Sequence, residues 1–183
     1  MNGFCNTVKI FALASILIFT TSCQQAADIS NPVSYDKAGI KFDYPGNWNI
    51  TEDDQLEDVR FVILESPGDG IFIIQVYLAE DAVLIREYVD WFTEAAIKET
   101  PIFERTVGDY TKIEETIDGE IVSGLRQKFS INVFKLAVPH VSEYYRLEKN
   151  NKVAFLISQA AEEDLGYEAA GFELIIKTFK LIS

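Results

Sequence analysis

Apolar and polar residues alternate over much of this chain, and changes in the period of that alternation mark its elements. Ile40, Phe42 and Tyr44 alternate with Lys41 and Asp43, as in a strand with one buried face. Pro45-Gly46 turns the chain, and Trp48 and Ile50 resume the alternation. Residues 52–58, with Glu52, Asp53, Asp54, Glu57 and Asp58, read as an acidic loop leading to a second hairpin. Its arms are residues 59–64 and 71–78, joined by Ser66-Pro67-Gly68-Asp69-Gly70. Both arms carry apolar residues at consecutive positions, which places them inside a sheet with both faces covered.

The period then lengthens. Leu84/Ile85, Tyr88/Val89, Trp91/Phe92 and Ala95/Ala96 recur at three-to-four spacing, with Arg86, Glu87, Asp90, Glu94 and Lys98 on the other face. This is a helix with Trp91 in its apolar face, Asp81 as N-cap and Pro101 as stop. Two strand pairs follow. Asp118-Gly119 joins residues 110–117 to 121–131, and Lys149-Asn150-Asn151 joins 141–148 to 153–158. A last helix, weakened by Gly166 and Gly171, aligns Phe172, Ile175, Ile176 and Phe179, with Glu162, Glu163 and Asp164 where its dipole favours negative charge. Hairpins, helix, hairpins, helix is the order of an α+β domain with an antiparallel sheet packed against helices.

The first 22 residues follow a different logic. Behind Lys9, residues 10–19 carry no charge, and Thr20, Thr21 and Ser22 then meet Cys23. A basic start, an apolar run and a small-residue cleavage zone describe a secretory signal peptide, and the run is about half the roughly 20 residues a spanning helix needs. A cysteine at the cleavage point resembles the lipobox of bacterial lipoproteins, although Thr20 stands where that pattern has leucine. The resemblance implies lipidation of Cys23, and Gln24 after it is similar to the outer-membrane sorting pattern of Gram-negative lipoproteins. More than one acyl chain anchors a protein stably without a transmembrane helix. The chain then divides into a signal peptide (1–22), a lipidated N-terminus and flexible tether (23–34) and one globular domain (35–183). Its expected place is a bacterial cell envelope, bound to a membrane through the N-terminal lipid on the periplasmic face. The only other cysteine, Cys5, is lost with the leader, so the mature domain has no thiol for a disulfide, a nucleophile or a thiolate metal site.

Charge narrows the functional classes. Lys and Arg number 16 against 29 Asp and Glu, a formal net charge of −13, and loss of the leader removes only Lys9. The densest cationic pair, Arg126 and Lys128, alternates along a strand, so nucleic acid is excluded as a partner. His140 is the only histidine, and no Gly-x-Ser-x-Gly elbow accompanies it. Residues 52–58 lack the Asp-x-Asp-x-Asp-Gly order of a calcium loop. Trp48, Trp91, Tyr144 and Tyr145 read as core or half-buried packing, with Tyr144 and Tyr145 on opposite faces of one strand. No catalytic, cofactor-binding or metal-binding set is assigned.

Gly39, Ile40, Phe42, Tyr44, Pro45 and Trp48 form a "Gly-Ile-x-Phe-x-Tyr-Pro-x-x-Trp" opening, followed by a Glu65-Ser66-Pro67 turn, a long helix and a closing helix ending in Phe179-Lys180. This resembles the PsbP-like superfamily, which includes DcrB-like bacterial lipoproteins, over residues 35–183. The resemblance implies an α/β/α sandwich around an antiparallel sheet and a non-catalytic accessory role, here the engagement of another envelope protein. The alternative is a small-ligand or divalent-cation module using the sheet surface or residues 52–58, and an enzyme comes last.

Overall fold

The computed structural model describes residues 25–99, 104–133 and 136–182. The elements run β1 (Val33–Lys37), β2 (Ile40–Tyr44), β3 (Asn49–Leu56), β4 (Val59–Glu65), β5 (Ile71–Leu78), α1 (Ile85–Glu99), β6 (Glu104–Ile117), β7 (Glu120–Val133), β8 (Leu136–Lys149), β9 (Lys152–Ala161), α2 (Leu165–Thr178) and β10 (Lys180–Leu181). A seven-stranded sheet has the order β3-β4-β5-β9-β8-β7-β6, and a small sheet the order β1-β2-β10. Every pairing is antiparallel. The β5–β9 pair joins the hairpins before α1 to those after it. Among the described residues no helix is long and apolar enough to cross a membrane.

Turn chemistry sets the registers. Asp118 and Gly119 between β6 and β7, and Asn150 and Asn151 between β8 and β9, all have positive φ (52°, 81°, 54° and 59°). That geometry matches the twist of the strands it joins. Three sequence expectations change. Residues 49–56 form strand β3 instead of an acidic loop, because Glu52, Asp53 and Asp54 pair in register with Ile63, Val62 and Phe61 of β4 and alternate between faces. Asp81 is not the helix cap: its N–H closes a turn onto the Leu78 carbonyl (3.1 Å), and Tyr88 N–H makes its helical bond to Leu84 (2.9 Å). Of the stretch expected as lipidated N-terminus and tether, 23–34, residues 23 and 24 lie outside the described residues and the rest is held to the body from Ala26 onward. Asn47 Nδ2 donates to the Ala26 carbonyl (2.9 Å), Ala27 N–H to the Tyr167 carbonyl (3.0 Å) and Gly46 N–H to the Asp28 carbonyl (3.0 Å).

The large sheet separates two cores. On one face Val62, Leu64, Phe72, Ile74, Leu147 and Leu156 pack against Phe172, Ile175 and Ile176 of α2 and against Tyr35, Ile40 and Phe42 of the small sheet. On the other, Tyr144, Val153, Phe155 and Ile157 pack against Tyr88, Val89 and Phe92 of α1. The result is the expected α/β/α sandwich, with the small sheet added to the α2 layer.

Gly171 explains how that layer closes. Trp48 is 3% exposed and meets Phe172 edge-on, ring centroids 5.3 Å apart. A Cβ on Gly171 would lie 2.5 Å from Trp48 Cζ2 and 2.9 Å from Pro45 Cγ. The helix accepts a poor helix former there so that Trp48 can reach its backbone. Gly166 faces nothing within 4 Å. Gly171→Ala is therefore expected to destabilise the domain by about 1–3 kcal/mol through overpacking. Gly166→Ala is expected to stabilise it by about 0.4–1 kcal/mol. Shifts of the urea unfolding midpoint in opposite directions are the check.

Candidate functional site

The face of the large sheet that carries α1 is only partly covered by it. Tyr88 stacks on Phe155 of β9 with centroids 3.8 Å apart, Phe92 meets Tyr144 of β8 edge-on at 6.0 Å, and Thr93 Oγ1 donates to Gln127 of β7. On one flank of the helix the Arg86 guanidinium lies 4.1 Å above the Tyr110 ring and Tyr110 Oη donates to Asp90 (2.9 Å), so that flank faces β6. Trp91 is on the opposite flank at 3.6 residues per turn, the side toward β5 and β4 in the strand order. It is 40% exposed, its ring 6.1 Å from that of Tyr88. Trp91 is therefore not the core residue the periodicity predicts, because Tyr88, Val89 and Phe92 already occupy the width one helix turns toward a sheet.

Strand register shows what lies beside Trp91. Directly paired residues share a face, so Glu52, Ile63, Ile73 and Ile157 form one row across β3, β4, β5 and β9. Asp54, Phe61 and Gln75 form the next row, and Glu65 and Ile71 the one on its other side. Phe61, Ile63 and Ile71 are half-buried and belong to neither core. Three carboxylates thus border an apolar floor. Burial, together with the neighbouring Glu65 and Asp54, raises Glu52 above its ordinary pKa of 4.5. Among the described residues no Lys or Arg stands within ion-pair distance of Glu52, Asp54 or Glu65.

The strand also divides the acids of residues 52–58 between two faces. Asp53 points to the opposite face from Glu52 and Asp54, where it pairs with Arg60 and with Lys37 Nζ (2.6 Å) and accepts a hydrogen bond from Tyr35 Oη (3.0 Å). Arg60 is 8% exposed and also donates to Tyr35 Oη (2.6 Å), tying β1 to the edge of the large sheet. Alternation thus leaves Glu52 and Asp54 on one face and Asp53 on the other, and among the described residues no group of three His, Cys, Asp or Glu is placed to hold a metal ion.

The other singled-out residues are dispersed. His140 Nδ1 lies 2.9 Å from the Val138 carbonyl, its ring stacks on Phe129 at 5.3 Å, and burial lowers its pKa below the ordinary histidine value. Arg105 lies 4.6 Å above the Phe129 ring. Tyr144 and Tyr145 face opposite cores, as alternation requires. Glu162 pairs with Lys128 (2.8 Å) at a cleft of about 290 Å³ lined by Thr106, Val107, Gly108, Lys128, Phe129, Ser130, Pro139 and Glu162. Asp164 takes the N-cap position of α2 without a side-chain cap hydrogen bond, and Glu163 directly precedes it. Cys23 and Pro101 lie outside the described residues.

Sequence reasoning missed a buried carboxylate. Glu168, in the first turn of α2, is fully buried, and its Oε1 accepts from Ser66 Oγ (2.7 Å). Ser66 Oγ in turn accepts from the N–H groups of Gly68 (3.1 Å) and Gly70 (2.8 Å), while Glu168 Oε2 has no partner among the described residues. A Cβ on Gly68 would fall 2.4 Å from Glu168 Oε1, which is why glycine occupies the loop. The signal was a glutamate four residues before Phe172, on the apolar stripe itself. With its hydroxyl committed in both directions, Ser66 serves as a clasp between loop and helix and not as a nucleophile. Burial raises Glu168 above its ordinary pKa of 4.5, and the Ser66 bond opposes this only in part. The folded state then holds its proton more tightly than the unfolded state, so this group costs stability as pH rises from the ordinary value through the raised one. Glu168→Gln is expected to keep the Ser66 bond, to unfold at higher urea than the parent at pH 7, and to lose that advantage near pH 4. Urea titrations of both proteins at the two pH values test this.

No protein-family model matches the sequence, and no curated protein is similar to it in sequence. Solved structures are similar in fold. The solution structure of cyanobacterial PsbP (CyanoP) from Synechocystis sp. PCC 6803 aligns with a TM-score of 0.55 at 12% identity, covering 84% of this chain and 94% of that one. A crystal structure from Bacteroides thetaiotaomicron VPI-5482 aligns at 0.51 with 15% identity over 87% of this chain, which spans 49% of that longer one. LpqN of Mycobacterium tuberculosis, involved in cell envelope biogenesis, aligns at 0.39 with 14% identity over 84% of this chain and 90% of that one, too loosely to carry an argument. With an antiparallel sheet between two helices and an added small sheet, the fold of this chain is PsbP-like.

Proposed function

We propose that this chain is a non-catalytic accessory protein, lipid-anchored at Cys23 in a bacterial cell envelope, that binds another envelope protein. The observation that carries the binding half is the uncovered part of the α1 face, where Phe61, Ile63 and Ile71 lie outside both cores beside the exposed Trp91. Apolar surface gathered in one place and rimmed by charge is the usual mark of an interaction site. The location half rests on the charge-free run over residues 10–19 and the small residues leading to Cys23.

The start of the body sharpens the picture of the anchor. Ala26 and Asp28 are hydrogen-bonded beside the β2–β3 turn, and Ala27 to Tyr167 in the first turn of α2. Only residues 24 and 25 then separate a lipid on Cys23 from the folded domain, a reach of roughly 10 Å at about 3.3–3.6 Å per residue. The domain would ride close to the bilayer, and its acidic surface makes the lipid, not the protein, the source of membrane affinity.

Mass spectrometry of the native N-terminus tests the anchor. The expected result is a chain that begins at Cys23 with added acyl mass, and a Cys23→Ala form that leaves the membrane fraction. A chain that still begins at Met1 removes this half of the reading. Pull-down from solubilised envelopes tests the binding half, with a stoichiometric partner expected. Enzymatic turnover with no partner recovered would contradict it.

A further inference from the structure

From the charge around the uncovered part of the α1 face, we propose that it takes a basic, apolar-sided segment of another protein. The inference rests on the partner-binding reading above and gives that partner its chemistry. Three rows of the sheet define the surface. Phe61, Ile63 and Ile71 supply the floor, Trp91 on α1 supplies a wall, and Glu52, Asp54 and Glu65 stand at the border.

Charge complementarity selects the occupant. Elsewhere on the surface several acids have cations: Asp36 pairs with Lys41, Glu94 with Lys98, Glu143 with Arg126 and Glu162 with Lys128. Even Asp53, next to two of the bordering acids, has Arg60 and Lys37, but on the other face. The three carboxylates around Phe61 and Ile63 have none among the described residues. Glu52, Asp54 and Glu65 repel one another across this surface, and a Lys or Arg placed among the three would relieve that repulsion. An acidic segment would add charge to a surface already crowded with it, and a purely apolar one would strip water from carboxylates without replacement. A segment with cations on one edge and aliphatic side chains on the other satisfies both the floor and the border. Such pairing also makes association fast and sensitive to salt.

Synthetic twelve-residue peptides serve as probes against the full native chain in nanodiscs of neutral phosphatidylcholine, with empty nanodiscs as blank. One peptide alternates Lys with Val, a second alternates Glu with Val, and a third alternates Lys with Ser. The Lys/Val peptide is expected to bind, to shift Trp91 emission to the blue and to weaken at least tenfold between 50 and 300 mM salt, as estimated for several exposed ion pairs. A chain carrying Glu52→Gln, Asp54→Asn and Glu65→Gln should bind it about tenfold more weakly. Phe61→Ser should also weaken binding, and Trp91→Phe should remove the emission change. The inference is overturned by no binding of the Lys/Val peptide, by equal binding of the Glu/Val peptide, or by binding that the triple and Phe61 variants leave unchanged. If an envelope partner is captured equally by the parent and the triple variant, the accessory reading stands and this surface assignment falls. If the Lys/Val peptide binds as expected while no envelope partner is recovered, the surface stands and the envelope-partner reading falls.

Discussion

Trp48 seated on the backbone of Gly171 is the contact on which the arrangement of layers depends. It brings the turn after β2 onto α2, and with it the small sheet, so that one face of the large sheet is sealed by a helix and three strands together. The opposite face has only α1. A helix is about 10–12 Å across and neighbouring strands lie about 4.8 Å apart, so one helix covers two or three strands of a seven-stranded sheet. The α1 core is centred on β7, β8 and β9 with side chains of β5 and β6 at its margins, and the floor of β4 is left over. The half-buried apolar floor and the exposed Trp91 follow from this mismatch in cover between the two faces.

Electrostatics follows the same division. Where acids meet the sealed side they are matched by buried donors: Asp53 by Arg60 and Tyr35, Glu168 by Ser66. Those contacts join the small sheet and the β4–β5 loop to the rest of the domain. On the open side the carboxylates of Glu52, Asp54 and Glu65 are left to solvent and to one another. The whole chain carries a formal net charge of −13, which opposes self-association. Its uneven matching leaves one face with carboxylates that no cation pairs among the described residues.

Local chemistry made much of this legible in the sequence. Asp118-Gly119 and Asn150-Asn151 demand left-handed backbone, so the two long hairpins were readable from single dipeptides. Tyr144 and Tyr145 had to part to opposite faces. What escaped was set by contacts distant in sequence. An acidic run becomes strand β3 because Arg60, Lys37 and Tyr35 absorb Asp53 on one face while solvent takes the acids on the other. Trp91 fits the apolar period of α1, yet its exposure depends on the width of a helix against a sheet. Gly171 looked like a defect in α2 until Trp48 was placed against it. The short strands β1 and β10 bury only Tyr35 and Leu181 respectively, too little pattern for recognition.

The central claim is that one face is sealed and the other open, and the two tryptophans report on one face each. Collisional quenching of the chain's intrinsic fluorescence measures both together. The account predicts two emitting populations. Trp48 should be blue-shifted and protected from acrylamide, and Trp91 should be quenched by acrylamide and more strongly by caesium than by iodide, because the carboxylates beside it attract cations. Equal protection of both rings, or quenching of Trp91 that is stronger with iodide than with caesium, would contradict it.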